Sequence, residues 1–300
     1  MTKTDNKLWK VLLATGLAHV IWGFSFMASR KALDLTSMPV LLSHRFLLAF
    51  LLMHLWPRKL RELRGLKAGQ RGQLLLLGLL EPVLYFFGEQ YGLLHSTSIF
   101  SGVMIALIPV IATLIAAPVL KERPTPGQLL FSALSVLGVI GVGLLSGEGG
   151  RPELLGVLAL LLAVVSAVGY SLLSRSLSAQ ISSFTRTYVM MGVGAVVFTA
   201  LALWQCREDL GAYIRPLQSP AYLLPLGYLG VLCSVLSYVL SGYSISYLTV
   251  ARETVFANLT TVVSVFAGAV FLHEPFSWIA AICCIGILVG IWGVQRSSQN

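Results

Sequence analysis

Ten apolar stretches separated by short polar or charged breaks run the length of the chain. They predict helices over 9–29, 38–56, 72–94, 98–119, 127–146, 153–175, 184–204, 220–243, 249–272 and 277–294. Each is close to the ~20 residues that cross a ~30 Å hydrocarbon layer at 1.5 Å per residue. Glycine and proline interrupt several of them, which membrane helices tolerate. The first run, Val11 to Ala28, leads into Ser29-Arg30-Lys31 with no small-residue cleavage site, so it reads as a retained helix rather than a signal peptide.

Two parts of this pattern match each other at a fixed offset. Tyr91, Glu122 and Gly141 recur as Tyr243, Glu274 and Gly293, each 152 residues later (243 − 91 = 152). Gly23-Phe24-Ser25…Ser29-Arg30 is echoed by Gly169-Tyr170-Ser171…Ser174-Arg175. The chain therefore reads as two copies of one unit, 1–147 and 148–300. Five helices per copy is an odd number, so the second copy enters the membrane inverted relative to the first. Inverted repeats underlie alternating access in many secondary transporters.

Composition agrees with the bilayer as solvent. The chain is 56% hydrophobic and 11% charged, with mean hydropathy +0.83, whereas soluble domains carry roughly 25% charged residues. The net charge of +9 is not a nucleic-acid signal, because its placement follows membrane topology. With the N-terminus in the cytoplasm, the inside segments hold Lys3, Lys7, Lys10, six basic residues in 57–71, Lys121, Arg123, Arg175, Arg186, Arg252 and Arg296, which is fifteen of 21. Both termini are then cytoplasmic, and the expected location is the inner cell membrane. Cys206, Cys233, Cys283 and Cys284 lack metal-ligand spacing, and no metal or cofactor is expected.

The candidate chemistry lies in polar residues inside spans. Intramembrane charges cost roughly 2.5–3.5 kcal/mol on insertion scales and usually face a cavity or a partner. Glu81 lies ~13 Å into the third helix, near the midplane, and Pro82 after it frees backbone carbonyls. Glu89 is ~12 Å further along and ~80° around, with Tyr85 between, and Arg45 lies at a depth similar to that of Glu89. We expect Arg45 to pair with Glu89, which leaves Glu81 as the candidate for a coupling proton or a cationic substrate group. The repeat places Cys233 and Ser241 at the positions of Glu81 and Glu89, an asymmetry that favours a substrate or coupling role over architecture. Thr254, Asn258, Thr261 and Ser264 form one polar stripe on the ninth helix. The stripe faces either a neighbouring helix or a water-filled path, and Asn258 is assigned to the cavity wall. Of the aromatic residues near these positions, Tyr85 and Trp22 are the first candidates for substrate contact. Glu122 and Glu274 end matched helices, and a structural role is expected: hydrogen bonds to nearby amides or basic groups that fix a tight turn beside Pro124 and Pro275. Gly88…Gly92 and Gly286…Gly290 have the small-xxx-small spacing of close helix packing.

These features resemble the ten-helix EamA-type transporters of the drug/metabolite transporter superfamily. The likeness is carried by Trp22-Gly23, Arg45 after Pro39, Pro109, Glu122, Glu274 and glycines 138, 141, 286 and 290, and it covers nearly the whole chain. One departure is Thr261 where the first half has Pro109. The resemblance implies an all-α membrane protein, mostly an exporter of small metabolites and often of amino acids. The expected function is thus a secondary transporter exporting a small organic solute in exchange with protons, as a monomer or homodimer. Alternatives are a lipid or lipid-linked flippase, an uptake or exchange carrier, and a membrane scaffold. No phosphate-binding loop points to an ATP-driven pump, and the five scattered histidines offer no enzyme-like cluster.

Overall fold

The computed structural model describes residues 3–56, 59–108, 110–111, 125–145, 152–248, 256–274 and 277–297. Among the described residues the chain is helical, with no strand. In chain order the apolar helices are α1 (Lys3–Leu33), α2 (Met38–Met53), α3 (Ala68–Leu94), α4 (Ser98–Ile105), α5 (Pro126–Leu145), α6 (Leu154–Leu177), α7 (Ser183–Gln205), α8 (Pro220–Ile245), α9 (Ala257–Phe271) and α10 (Trp278–Ser297). Helices α1, α3, α6, α7 and α8 are long and apolar enough to cross a membrane, and α2, α5, α9 and α10 contain shorter apolar helices. Part of the fourth and ninth predicted spans lies outside the described residues, as do Pro109, Glu122, Pro124, Thr254 and Pro275. Outward faces carry exposed Leu51, Leu76, Leu130, Leu137, Leu224 and Trp278, as expected where lipid replaces water.

The helix starts are written locally. Thr97 accepts from Phe100 N at 3.0 Å and caps α4, and Ser182 accepts from Thr185 N at 3.3 Å and caps α7. Pro39 sits in the first turn of α2, where its missing N–H costs nothing. The end of α9 turns through His273, whose φ of 53° lies in the left-handed region common just past helix C-termini. That turn aims Glu274 not at its own loop but at the other half of the chain. Its carboxylate accepts from Ser98 N at 2.8 Å and Ile99 N at 2.9 Å, satisfying two orphan amides at the start of α4. Glu274 therefore caps a helix of the other half, where the sequence predicts a brace for its own local turn.

The packing treats the two halves alike. Helix α2 lies on α7, α4 on α9, and α5 on α10. The pair α3–α6 is matched by α8–α1, α3–α7 by α8–α2, and α1–α9 by α6–α4. Exchanging α1–α5 with α6–α10 carries each of these pairs onto another of them. Side chains repeat the correspondence. Arg30 donates to the carbonyls of Leu93 (2.8 Å) and Ser96 (3.4 Å). Arg175 donates to the carbonyls of Ile245 and Leu248, each 152 residues further on. Each arginine thus ties the end of its half's first helix to carbonyls at the end of the third, which otherwise lack intrahelical partners.

Between α3 and α6 the contact depends on glycine. A Cβ at Gly88 would sit 2.3 Å from the Ala159 carbonyl oxygen, and one at Gly92 would sit 2.4 Å from Leu160 Cγ. The Gly88…Gly92 spacing is a packing seam, as expected. In the other pair, Gly290 is tight against Ser135 and Phe131, whereas Gly286 has open space around it.

Outside the spans, Glu62 in the 59–65 turn accepts from Ser182 N (2.9 Å) and from the hydroxyls of Ser182 and Thr185, at the start of α7. Partial burial pushes its carboxyl up. The Ser182 and Thr185 hydrogen bonds, with the Arg186 charge, outweigh burial and hold it below its ordinary value.

Two outcomes follow for stability. Gly88→Leu should destabilise the detergent-solubilised protein by about 1–3 kcal/mol through overpacking, whereas Gly286→Ala should be near neutral. Equal melting temperatures for the two variants would contradict the seam. A carboxyl lowered in the native state contributes stability that is present above its unfolded-state value and lost as pH falls through the native one. Glu62→Gln should then melt below wild type at pH 7, with the gap closing below about pH 4. A gap independent of pH counts against the charge-assisted cap.

Candidate functional site

Pro82 cannot donate to a regular helical turn, and α3 breaks there. Glu81 itself is extended (φ −145°, ψ 114°). The chain then winds in a wide turn to Leu84 and resumes a regular helix from Tyr85. Helix α8 has the same wide winding over Tyr228–Ser237, which contains the positions 152 residues on from Leu79–Leu84. Such windings leave backbone groups without their usual partners, and they cluster at functional sites. Here side chains take them up. Trp22 Nε1 donates to the Cys233 carbonyl at 3.2 Å. Ser234 Oγ donates to the Leu229 carbonyl at 2.9 Å.

The two irregular helices border a cavity of about 100 Å³. Its wall is made by His19, Trp22 and Ser25 of α1, Arg45 of α2, Glu81, Tyr85, Phe86 and Glu89 of α3, Tyr170 and Ser171 of α6, Tyr238 and Ser241 of α8, and Thr260 of α9, with apolar side chains between them. Both carboxylates are buried, Glu81 at 7% exposure and Glu89 at 3%. Tyr238 donates its hydroxyl to Glu81, which joins α8 to α3 across the cavity. Glu89 accepts from Tyr85 Oη at 3.0 Å and from Gln90 Nε2 at 2.8 Å. The Tyr238 ring packs edge-on against Trp22 (5.2 Å between centroids) and Tyr170 (6.2 Å). His19 Nδ1 meets Thr260 Oγ1 at 2.9 Å. The result is a small, mostly apolar space with aromatic walls, into which two acids, one guanidinium and several hydroxyls project. It can hold a proton or an organic cation in a setting where bulk water is scarce.

The structure brings together Glu81, Glu89, Arg45, Tyr85 and Trp22, all expected from the sequence. The expected pairing of Arg45 with Glu89 is present as an electrostatic interaction, not as a direct contact. Among the described residues no ion pair joins Arg45 to Glu89. Arg45 Nε donates instead to Ser234 Oγ at 2.8 Å, and its guanidinium lies 4.2 Å from the Phe86 ring centre. The polar stripe on α9 is also resolved. Thr261 donates to the Gly102 carbonyl of α4 at 3.5 Å, and Ser264 packs against Gly102, so this part of the stripe faces a neighbouring helix. The cavity side of α9 is Thr260, one position over, which the stripe pattern passed by. Asn258 falls on α9, and its side chain lies outside the described residues. Phe87, next to Phe86 on α3, is exposed on the outer surface of the bundle.

Sequence reasoning left Tyr238, Tyr170, His19 and Ser241 without specific roles. The signal for Ser241 was available, since it is the repeat counterpart of Glu89. Tyr238 carried no signal beyond being aromatic. Arg186 was counted only as an inside charge. It is fully buried and donates to the carbonyls of Ser174 (2.6 Å) and Gly242 (3.0 Å), tying α7 to α6 and α8.

Among known proteins, the profile described as the EamA-like transporter family matches residues 8–144 and again 154–296. A Bacillus subtilis (strain 168) protein named "Uncharacterized transporter YcxC" is 32% identical over 289 residues, covering 94% of this chain and 91% of its own length. A Streptantibioticus cattleyicolor protein named "Probable terminal-alkyne amino-acid exporter" is 27% identical over 294 residues, covering 98% and 95%. A solved crystal structure shares the fold, with a TM-score of 0.67 at 19% identity over 94% of this chain and 95% of that one.

Proposed function

The chain belongs to the EamA-like transporter family of the drug/metabolite transporter superfamily, and on that premise we propose that it exports a small amine-bearing metabolite, an amino acid or an amine, by alternating access coupled to protons. The carrying observation is Glu81, a buried carboxylate at a helix break, bonded to Tyr238 of the opposite half inside the cavity. In this reading 1–147 and 148–300 are inverted repeats and both termini are cytoplasmic. The protein acts in the inner cell membrane as a monomer or homodimer. Glu81 binds a proton or the substrate amine, and release of one to either side permits the other to bind. The amino-acid exporter among the relatives supports the substrate class. The exchangeable packing of the halves supports two access states of similar construction. A lipid-flippase reading would draw on the cleft lined by Phe100, Met104, Val139 and Leu161, which among the described residues has no charged side chain to receive a headgroup.

Untargeted mass spectrometry of the medium around expressing cells tests this. Wild type should raise an amino acid or amine outside the cell, and Glu81→Gln at equal membrane abundance should not. Equal export by both would remove Glu81 from the mechanism. Accumulation of a lipid or of a solute without an amine would overturn the substrate class.

A further inference from the structure

Arg45 is 1% exposed, yet its role in the bundle uses only part of its hydrogen-bonding capacity. Nε is held by Ser234, and the flat face of the guanidinium is held over Phe86, with Phe46 at 5.5 Å on the same group. Ser234 is itself fixed, because its hydroxyl proton goes to the Leu229 carbonyl released by the wide winding of α8. Among the described residues the two terminal nitrogens have no hydrogen-bond or ion-pair partner, and the side chain lines the cavity. A guanidinium oriented on three sides and open on the fourth is a rigid donor fork. That geometry matches a carboxylate bidentately, and lysine cannot reproduce it.

Among the described residues no carboxylate fills this fork. Glu89, on the same face of α3 as Phe86 (three residues on), is turned to Tyr85 and Gln90. Glu81 is bonded to Tyr238. A charged donor pair left open in a dry cavity is costly unless a ligand or water completes it. The cavity wall thus carries Glu81 with Tyr238 and Trp22, and also Arg45, whose charge reaches Glu89 without bonding to it.

We infer that Arg45 is the specificity-determining receptor for a substrate carboxylate, so that the preferred cargo is a zwitterion bearing both amine and carboxylate rather than a simple amine. This rests on the transport reading above and narrows its substrate class. The amine of the zwitterion goes to the Glu81 end, and the carboxylate takes two parallel hydrogen bonds from Arg45.

The test uses the full-length protein in proteoliposomes. The probes are L-phenylalanine with phenethylamine and phenylalaninamide, L-leucine with isoamylamine and leucinamide, and L-lysine with cadaverine. Flux of each labelled amino acid is measured with its amine and, where included, its amide as competitor. Wild type should prefer at least one amino acid over its amine and amide by about 10-fold or more, because a site built to bond a polar group rejects analogues lacking it. Arg45→Lys should keep part of that preference. Arg45→Gln should bring the ratio near one by raising KM for the amino acid while leaving the amine's KM in place. Ser234→Ala, which loosens the fork without removing the charge, should give an intermediate ratio. Should Arg45→Gln fail to fold, the wild-type ratio and Ser234→Ala decide the matter. A wild type that carries amines as well as or better than amino acids overturns the inference and leaves the transport reading standing. Flux of none of these probes, in vesicles that export other metabolites, overturns the proposed substrate class and this inference with it.

Discussion

The bond from Tyr238 to Glu81 is the contact around which the middle of this protein is organised. A carboxylate buried this deeply inside a helical bundle has little water to fall back on, so it persists only where the protein supplies donors. Supplying one from the opposite half links α8 to α3 across the cavity, close to where both helices depart from regular winding. The same departures release the Cys233 and Leu229 carbonyls, which Trp22 and Ser234 take up. Ser234 then fixes Arg45. The polar interior is thus linked from Glu81 and Tyr238 through Trp22 and Ser234 to Arg45.

Around that interior the scaffold is nearly symmetric, and within it the chemistry is not. Arg30 and Arg175 perform the same tie in the two halves, and the main helix pairs correspond between them. Yet Glu81 and Pro82 stand opposite Cys233 and Ser234, and Glu89 opposite Ser241. Architecture is duplicated because both halves must pack and bend alike. Binding chemistry is not, because a single site needs only one set of charges. Glu274 also shows how tightly the halves depend on each other, since the second half caps a helix of the first.

Much of this was legible in the sequence. Hydropathy marks the spans because the solvent is apolar throughout. The 152-residue offset marks the repeat, because equivalent turns need equivalent glycines, tyrosines and glutamates. Intramembrane Glu81, Glu89 and Arg45 stand out by their cost. What was not legible depends on rotation about a helix axis. Neighbouring positions differ by 100°, so Thr260 enters the cavity while Thr261 meets α4. The wide winding of α8 shifts that phase further and brings Ser234, rather than an acid, to Arg45. Tyr238 could not be singled out from other tyrosines, because its value comes from what lies opposite it in space.

The central claim is that the cavity between the two irregular helices is the transport path. The direct measurement is side-chain accessibility from each side of the membrane. Ser241→Cys, in a background with Cys206, Cys233, Cys283 and Cys284 replaced, places a thiol on the cavity wall opposite the acids. A membrane-impermeant maleimide should label it both in right-side-out and in inside-out vesicles, and more slowly in each when transported substrate is present. Labelling from one face only, or at a rate indifferent to substrate, would contradict a path through this cavity.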